Sequence, residues 1–387
     1  MRELDRNAVE KIAKGACFLG SGGGGPLSIT PTIIDNIFKS TDKIRVVDIE
    51  EVPDTAGIAI AAGMGSPERS TGISFNTAPS VAFNEVAKNY GPLDYVAAVE
   101  VGAANSVIPM LVAAQNNIPL VDANGAGRAV PTLSSTTYAA TGVSATPAVL
   151  SAVGVEGNPV VVCPDSNNIE QVEAWAQEVL TTNPNFTKYN SGAVALWAFS
   201  GQKLKEGKGV NATAIGGSLE LAESIGNALE SITPIESVKE VLGASDSKYS
   251  YLGTGKVVAI KEESVGALDG GIVEVEMDSG IIELPYLNEF LGAFNWDSEN
   301  PTYILGPDMI CCMTPDGEPL SNPSISSKFQ ESGPFEMAIF TIQAAAPMRK
   351  EPMFNMFANH IKSLYPAFSG GYRDQGVLTM QWAWAED

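Results

Sequence analysis

A single histidine, His360, occurs in 387 residues, and that scarcity removes whole classes of chemistry. Multi-histidine metal centres are excluded, and a Ser-His-Asp triad would have to be built on this one residue. The carboxylates show no EF-hand-like spacing for Mg²⁺ or Ca²⁺, so no metal ligands are assigned, and the residues name no cofactor. There is no GxSxG elbow, the serines standing in LGSGGG, GMGSPE and IGGSLE contexts. Four cysteines (Cys17, Cys163, Cys311, Cys312) show no CxxC spacing. Adjacent Cys311 and Cys312 cannot easily bridge within one strand, so all four read as reduced, buried thiols of a cytosolic protein.

Positive charge is scarce as well. Lys and Arg number 23 against 45 Asp and Glu, a formal net charge of −22. Nucleic-acid binding draws on Lys and Arg to release counterions, so a phosphate-backbone partner is excluded, and an anionic membrane surface is disfavoured for the same reason. No apolar run approaches the ~18 residues of a membrane-spanning helix. The N-terminal MRELDRNAVEKIAK is charged throughout and has no signal-peptide core. The expectation is a cytoplasmic protein whose partner is a small-molecule substrate.

What is present points to an α/β fold. The length exceeds the roughly 250 to 300 residues at which one core stops growing, so two domains are expected. Continuously apolar runs at 43–49, 57–63, 94–102, 118–123, 158–163 and 192–200 read as strands buried on both faces of a mostly parallel sheet. Helical periods fall at Arg6 to Phe18, Thr77 to Asn89, Asn105 to Asn117 and Asn168 to Thr181. A further amphipathic helix at Gly216 to Glu230 has a first turn that could meet an anion. After Ala244 the texture changes: VEVEM and IIELP alternate with period two, and MDSG and PDGEP supply turns. The expected division is 1–244, an α/β domain with glycine-rich loops, and 245–387, a β-rich domain.

Three constellations carry chemistry. In GACFLGSGGGGP, Gly22, Gly23, Gly24 and Gly25 follow a helix and can turn N–H groups toward a ligand, or simply connect two elements. The loop closes a helix and no Gly-Lys-Ser/Thr follows, so it is neither a dinucleotide fingerprint nor a P-loop. In VAAVEVGAANS, Glu100 sits at the carboxyl end of a buried strand, where open α/β sheets bind ligands; otherwise it is a capping acid beside Asn105. In IPLVDANGAGRAVPTL, Asp122, Asn124, Gly125, Gly127 and Arg128 crowd into seven residues after a strand. That loop is either a site or an internally paired turn.

These residues resemble those of the S-methyl thiohydantoin desulfurase family, whose members are often encoded near hydantoin-utilisation enzymes. LGSGGGGP is similar to its N-terminal signature, and Glu100 to Asn105 to its Glu-hydrophobic-Gly-Gly-x-Asn segment. Pro119 to Pro131 is similar to its Pro-Val-Val-Asp-x-Asp-Gly-x-Gly-Arg-Ala-x-Pro run. GKVVAI, YLNEFLGAF with Asn288 and Glu289, and GPDMICCMTPDGEPL follow the family's order, and LYPAFSGGY matches loosely. Asn124 stands where the family has its second aspartate, and Ala103 where it has a glycine.

The resemblance implies a hydrolase that replaces a methylthio group on a hydantoin-like ring by water. On that reading Glu100 or Asp122 is the base and Arg128 clamps an anion. Gly22 to Gly25 supply N–H donors, and Asn105, Asn124 and Gly125 contact substrate. A homo-oligomer is expected. The alternative is a non-catalytic small-molecule-binding or regulatory partner of a hydantoinase-type enzyme, favoured by Asn124.

Overall fold

The computed structural model describes residues 1–65, 75–166, 168–245, 247–265, 268–295 and 302–368. Its N-terminal part is built on an eight-stranded sheet. The strands are β1 (Arg2–Leu4), β2 (Ile44–Val47), β3 (Gly57–Gly65), β4 (Tyr95–Ala98) and β5 (Leu120–Val121), then β7 (Val149–Ala152), β8 (Val160–Val162) and β9 (Ser191–Ser200), in the order β1-β2-β5-β4-β3-β9-β7-β8. A separate small ladder pairs β6 (Ala123–Asn124) with β10 (Ile215–Gly216).

Strands β2, β5, β4 and β3 are parallel. Strand β9 runs antiparallel to both β3 and β7, which makes the sheet mixed. A continuous apolar run carries no sign of direction, and β8, expected to be buried on both faces, is an antiparallel edge strand with Val160 and Val162 exposed. Ile58, Ala59, Ile60 and Ala61 of β3, like Ala195, Leu196 and Trp197 of β9, are fully buried.

Helices α1 (Arg6–Leu19), α2 (Thr30–Ser40), α3 (Ala78–Tyr90) and α4 (Ala103–Asn116) pack on one face of this sheet. The short α5 (Thr137–Ala140), α6 (Ile169–Thr182) and α7 (Gly201–Leu204) cover the other. Helix α1 starts where Asp5 accepts the Ala8 N–H at 2.9 Å, and it buries Val9, Ile12, Ala13 and Ala16 at helical spacing. Helix α8 (Ser218–Leu229) lies against α1, followed by α9 (Pro234–Ala244).

The rest is strand-rich. β11 (Tyr249–Val265), β12 (Leu268–Met277), β13 (Gly280–Leu287), β14 (Glu289–Phe290), β15 (Gly292–Asn295), β16 (Thr302–Leu305), β17 (Met309–Met313), β18 (Pro319–Leu320) and β19 (Phe335–Ile342) form one antiparallel sheet. The MDSG turn closes the β12–β13 hairpin, with Met277 opposite Gly280, and PDGEP joins β17 to β18. Helices α10 (Asn322–Ser332) and α11 (Met353–Phe368) complete the chain. The LYPAFSGGY element passes out of the described residues after Phe368.

One hydrophobic cluster runs through α1 into the strand-rich sheet, uniting Phe18 with Cys311, Met313 and Phe340. The rings of Phe18 and Phe340 meet edge-on at 5.5 Å. All four cysteines are buried and free. Among the described residues no helix is long and apolar enough to cross a membrane.

Candidate functional site

The glycine loop is a fixed structural element. Ser21, at φ 52°, accepts the Phe290 N–H on its carbonyl at 2.7 Å and the Ile310 N–H on its hydroxyl at 3.0 Å. The Gly22 carbonyl accepts from Asn322 N–H at 2.8 Å. Gly24, at φ 75°, aims its carbonyl at the first turn of α4, where the N–H groups of Ala104 and Asn105 both donate at 3.1 Å. A Cβ there would collide with the backbone of Gly102. The positive charge of that helix start is thus used internally, and the loop is clamped between α4 and the strand-rich sheet.

Glu100 lies two residues past the end of β4 and is 6% exposed. Its Oε1 accepts from Asn105 Nδ2 at 2.6 Å, and its Oε2 accepts the Val130 N–H at 2.8 Å. Asn105 is a bridge rather than the helix cap, because α4 begins at Ala103 with Gly102 as its N-cap. Its Oδ1 takes the Gly63 N–H at 2.8 Å, tying the end of β3 to Glu100. Burial raises Glu100 to about 7, against the opposing pull of Asn105, Val130 and Arg128.

A second carboxylate arrives from the other half of the chain. Glu289 is 3% exposed, lies beside Gly24, and has an Oε2 without a hydrogen-bond partner. Burial, then the neighbouring charge of Glu100, raises its pKa well above the ordinary range. Sequence reasoning had passed over it as a site residue. Its one cue, an Asn288-Glu289 pair inside the apolar YLNEFLGAF run, does not tie it to Glu100.

These groups line one cleft. Gly24, Gly25, Glu100, Asn105, Asn288 and Glu289 form its polar end. Ile29, Phe75, Ile108, Leu133 and Val194 supply apolar wall. Glu173 and Gln177 of α6 also line it, with Glu173 Oε2 accepting the Leu133 N–H at 2.7 Å and its Oε1 accepting from Gln177 Nε2 at 3.2 Å. Among the described residues no group of three or more His, Cys, Asp or Glu side chains is placed to hold a metal ion.

The third constellation stands outside the lining of this cleft. Asp122 accepts the Leu219 N–H at 3.0 Å, so the anion at the first turn of α8 is the chain's own, and Arg2 approaches its other oxygen at 3.8 Å. Asn124 makes an Asx turn: its Oδ1 accepts from Ala126 and Gly127 N–H, and its Nδ2 donates to Ser218 Oγ at 2.8 Å. Gly125 packs against the Tyr138 ring.

Arg128 is fully buried, with its nitrogens spread over four carbonyls: Ala129, Pro307, Asp308 and Phe290. Its guanidinium also lies over the Phe357 ring at 5.1 Å. Expected as an anion clamp, it is instead committed to the protein's own backbone. Gly22 and Gly23 sit behind the cleft, Gly23 so close to Glu289 that a Cβ would fall on the carboxylate.

The chain matches the description "S-Me-THD-like, N-terminal domain" over residues 7–163 and "S-Me-THD-like, C-terminal domain" over residues 185–356. It is similar to the crystal structure of a protein from Chromobacterium violaceum, at 28% identity and a TM-score of 0.74, covering 94% of this chain and 97% of that one. No curated protein matches it.

Proposed function

Because the chain belongs to the S-Me-THD-like family across both matched domains, we propose that its cleft hydrolyses a hydantoin-like five-membered ring, exchanging an S-methyl group for water. The observation that carries this reading is the presence of Glu100 and Glu289, two buried carboxyls lining one cleft, each raised by burial and Glu289 further by the charge of Glu100. Such a pair holds one ionised and one protonated member near neutrality, which is the combination an addition and elimination at one carbon requires.

The proposed sequence balances on these two groups. The ionised carboxylate takes a proton from water as its oxygen bonds to the carbon bearing sulfur. The protonated carboxyl gives its proton to the adjacent ring nitrogen. In the second half the C–S bond breaks and the thiolate takes the proton held by the first carboxyl. The new hydroxyl returns its proton to the second, leaving a carbonyl, methanethiol and both carboxyls as they began. The backbone of Gly24 and Gly25 borders this end of the cleft and would orient the ring.

The non-catalytic alternative loses the feature that favoured it, since Asn124 is engaged in its own turn outside the cleft lining. The test is methanethiol release from a 2-methylthio-imidazolone by the intact protein and by Glu100→Gln and Glu289→Gln. Each substitution should slow the reaction by about 10²-fold or more. Wild-type rates in both would remove the pair from the mechanism.

A further inference from the structure

Three carboxylates line the cleft, Glu100, Glu173 and Glu289, and no lysine, arginine or histidine is among its described lining residues, Arg128 standing behind Glu100 and Glu289. Acids gathered in this way do not by themselves define a ligand. Here one of them lacks its complement: Glu289 Oε2 is buried, lies on a cleft-lining side chain and accepts nothing from the protein. A buried carboxyl oxygen of this kind is completed by a polar group of the ligand, a donor when the carboxyl is ionised. The nearest candidate for pairing a ligand anion, Arg128, has its nitrogens on backbone carbonyls.

Glu173 adds to the same polarity. Glu100 is anchored by the Val130 N–H and Glu173 by the Leu133 N–H. The two acids, which come from the end of β4 and from α6, are therefore anchored on one segment, at N–H groups at most about 10 Å apart along three residues. Glu173 and Gln177 line the same cleft as Glu100 and Glu289, so a substituent on a five-membered ring held by that pair has them within the same enclosure.

We propose that the cleft accepts rings bearing a neutral or cationic side chain that ends in a hydrogen-bond donor, received by Glu173 and Gln177, and rejects rings that carry a carboxylate. This rests on the reading of the cleft as a hydantoin-ring site and narrows it to a substrate class. Rejection follows from placing a second anion among buried acids, which opposes binding more strongly than any missing contact.

The experiment is calorimetric titration of the intact protein at mildly alkaline pH with 5-substituted hydantoins whose chains end in methyl, carboxamide, ammonium or carboxylate. The carboxamide and ammonium probes should bind at least roughly tenfold more tightly than the carboxylate. Glu173→Gln should shrink that ratio, and Gln177→Glu, which adds an acid at the same place, should widen it. Equal affinity for carboxylate and carboxamide would overturn the inference while leaving the ring site in place. A ratio unmoved in both variants would take the role from Glu173. If none of the four probes binds, the ring reading itself fails and this inference falls with it.

Discussion

Arg128 Nη2 donates to the carbonyl of Phe290 at 2.6 Å, and so the chain neighbour of Glu289 is held by a residue of the loop that follows Glu100. The carbonyl of Arg128 in turn accepts the N–H of Val101 at 3.2 Å, the residue after Glu100. One buried arginine thus grips the chain on the far side of both carboxylates. Its charge also favours their ionised forms, working against burial. Its part in the site is to position two acids that come from opposite halves of the sequence.

Replacing Arg128 by Met should therefore damage the fold before any chemistry is considered. It would strand four backbone carbonyls and remove the one cation that offsets two buried acids. The expected loss is about 3–5 kcal/mol, read from denaturant midpoints. Arg128→Lys keeps the charge without the planar fork and should recover only part of it. A fully stable Arg128→Met protein would contradict this account.

Glu100 predicts the direction of a pH effect on stability. Burial raises it from 4.5 to about 7, so between those values the folded protein keeps a proton that the unfolded chain releases. Its contribution is complete below about 4.5 and is lost as pH rises through about 7. Glu100→Gln carries no titrating proton and should flatten the decline of stability between about pH 5 and 8. Denaturation midpoints across that range test this; parallel curves for the two proteins would place the dependence elsewhere.

Two neighbouring glycines should fail in different ways. A methyl on Gly23 falls on the Glu289 side chain and displaces its carboxylate. Gly23→Ala should then depress turnover more than melting temperature. A methyl on Gly24 meets the Gly102 backbone at a φ of 75°, and neither segment can yield. Gly24→Ala should cost about 1–3 kcal/mol or more of stability. Paired melting and activity measurements decide, and the opposite order of effects would mean that the loop is misread.

Restoring the family's aspartate at position 124 should change little. Ser218 can donate to a carboxylate there, and the two N–H groups of the Asx turn still find an acceptor. Turnover of Asn124→Asp should stay within about twofold of wild type, as for sites away from the reacting groups. A large gain would move the active centre to this loop.

Most helices were legible because their apolar spacing is strong: α1, α3, α4 and α6 begin and end within about two residues of the periods in the sequence. Most strand positions were legible for the same reason, but the short β1 and β7 were not, and the direction of β9 left no mark in its composition. At the site, Glu100 and Asn105 announced themselves as polar residues at the end of a buried strand. Asp122 and Arg128 gave the same cue and turned out to serve the chain itself. A sequence shows that a buried ion needs a partner but not whether that partner is ligand or backbone. Glu289 was passed over because its relation to Glu100 exists only once the two halves are folded together.

Strand β9 has one more consequence. It fills the middle of the first sheet, between β3 and β7, yet it is made only after both. A chain emerging from the ribosome must keep those two strand edges unpaired for on the order of ten seconds at ordinary rates of synthesis. During that interval the edges of two apolar strands are open to any neighbour with a free edge. Crowded overexpression should show this as aggregation, and slower initiation or chaperone supply as its relief, with no change to the finished molecule.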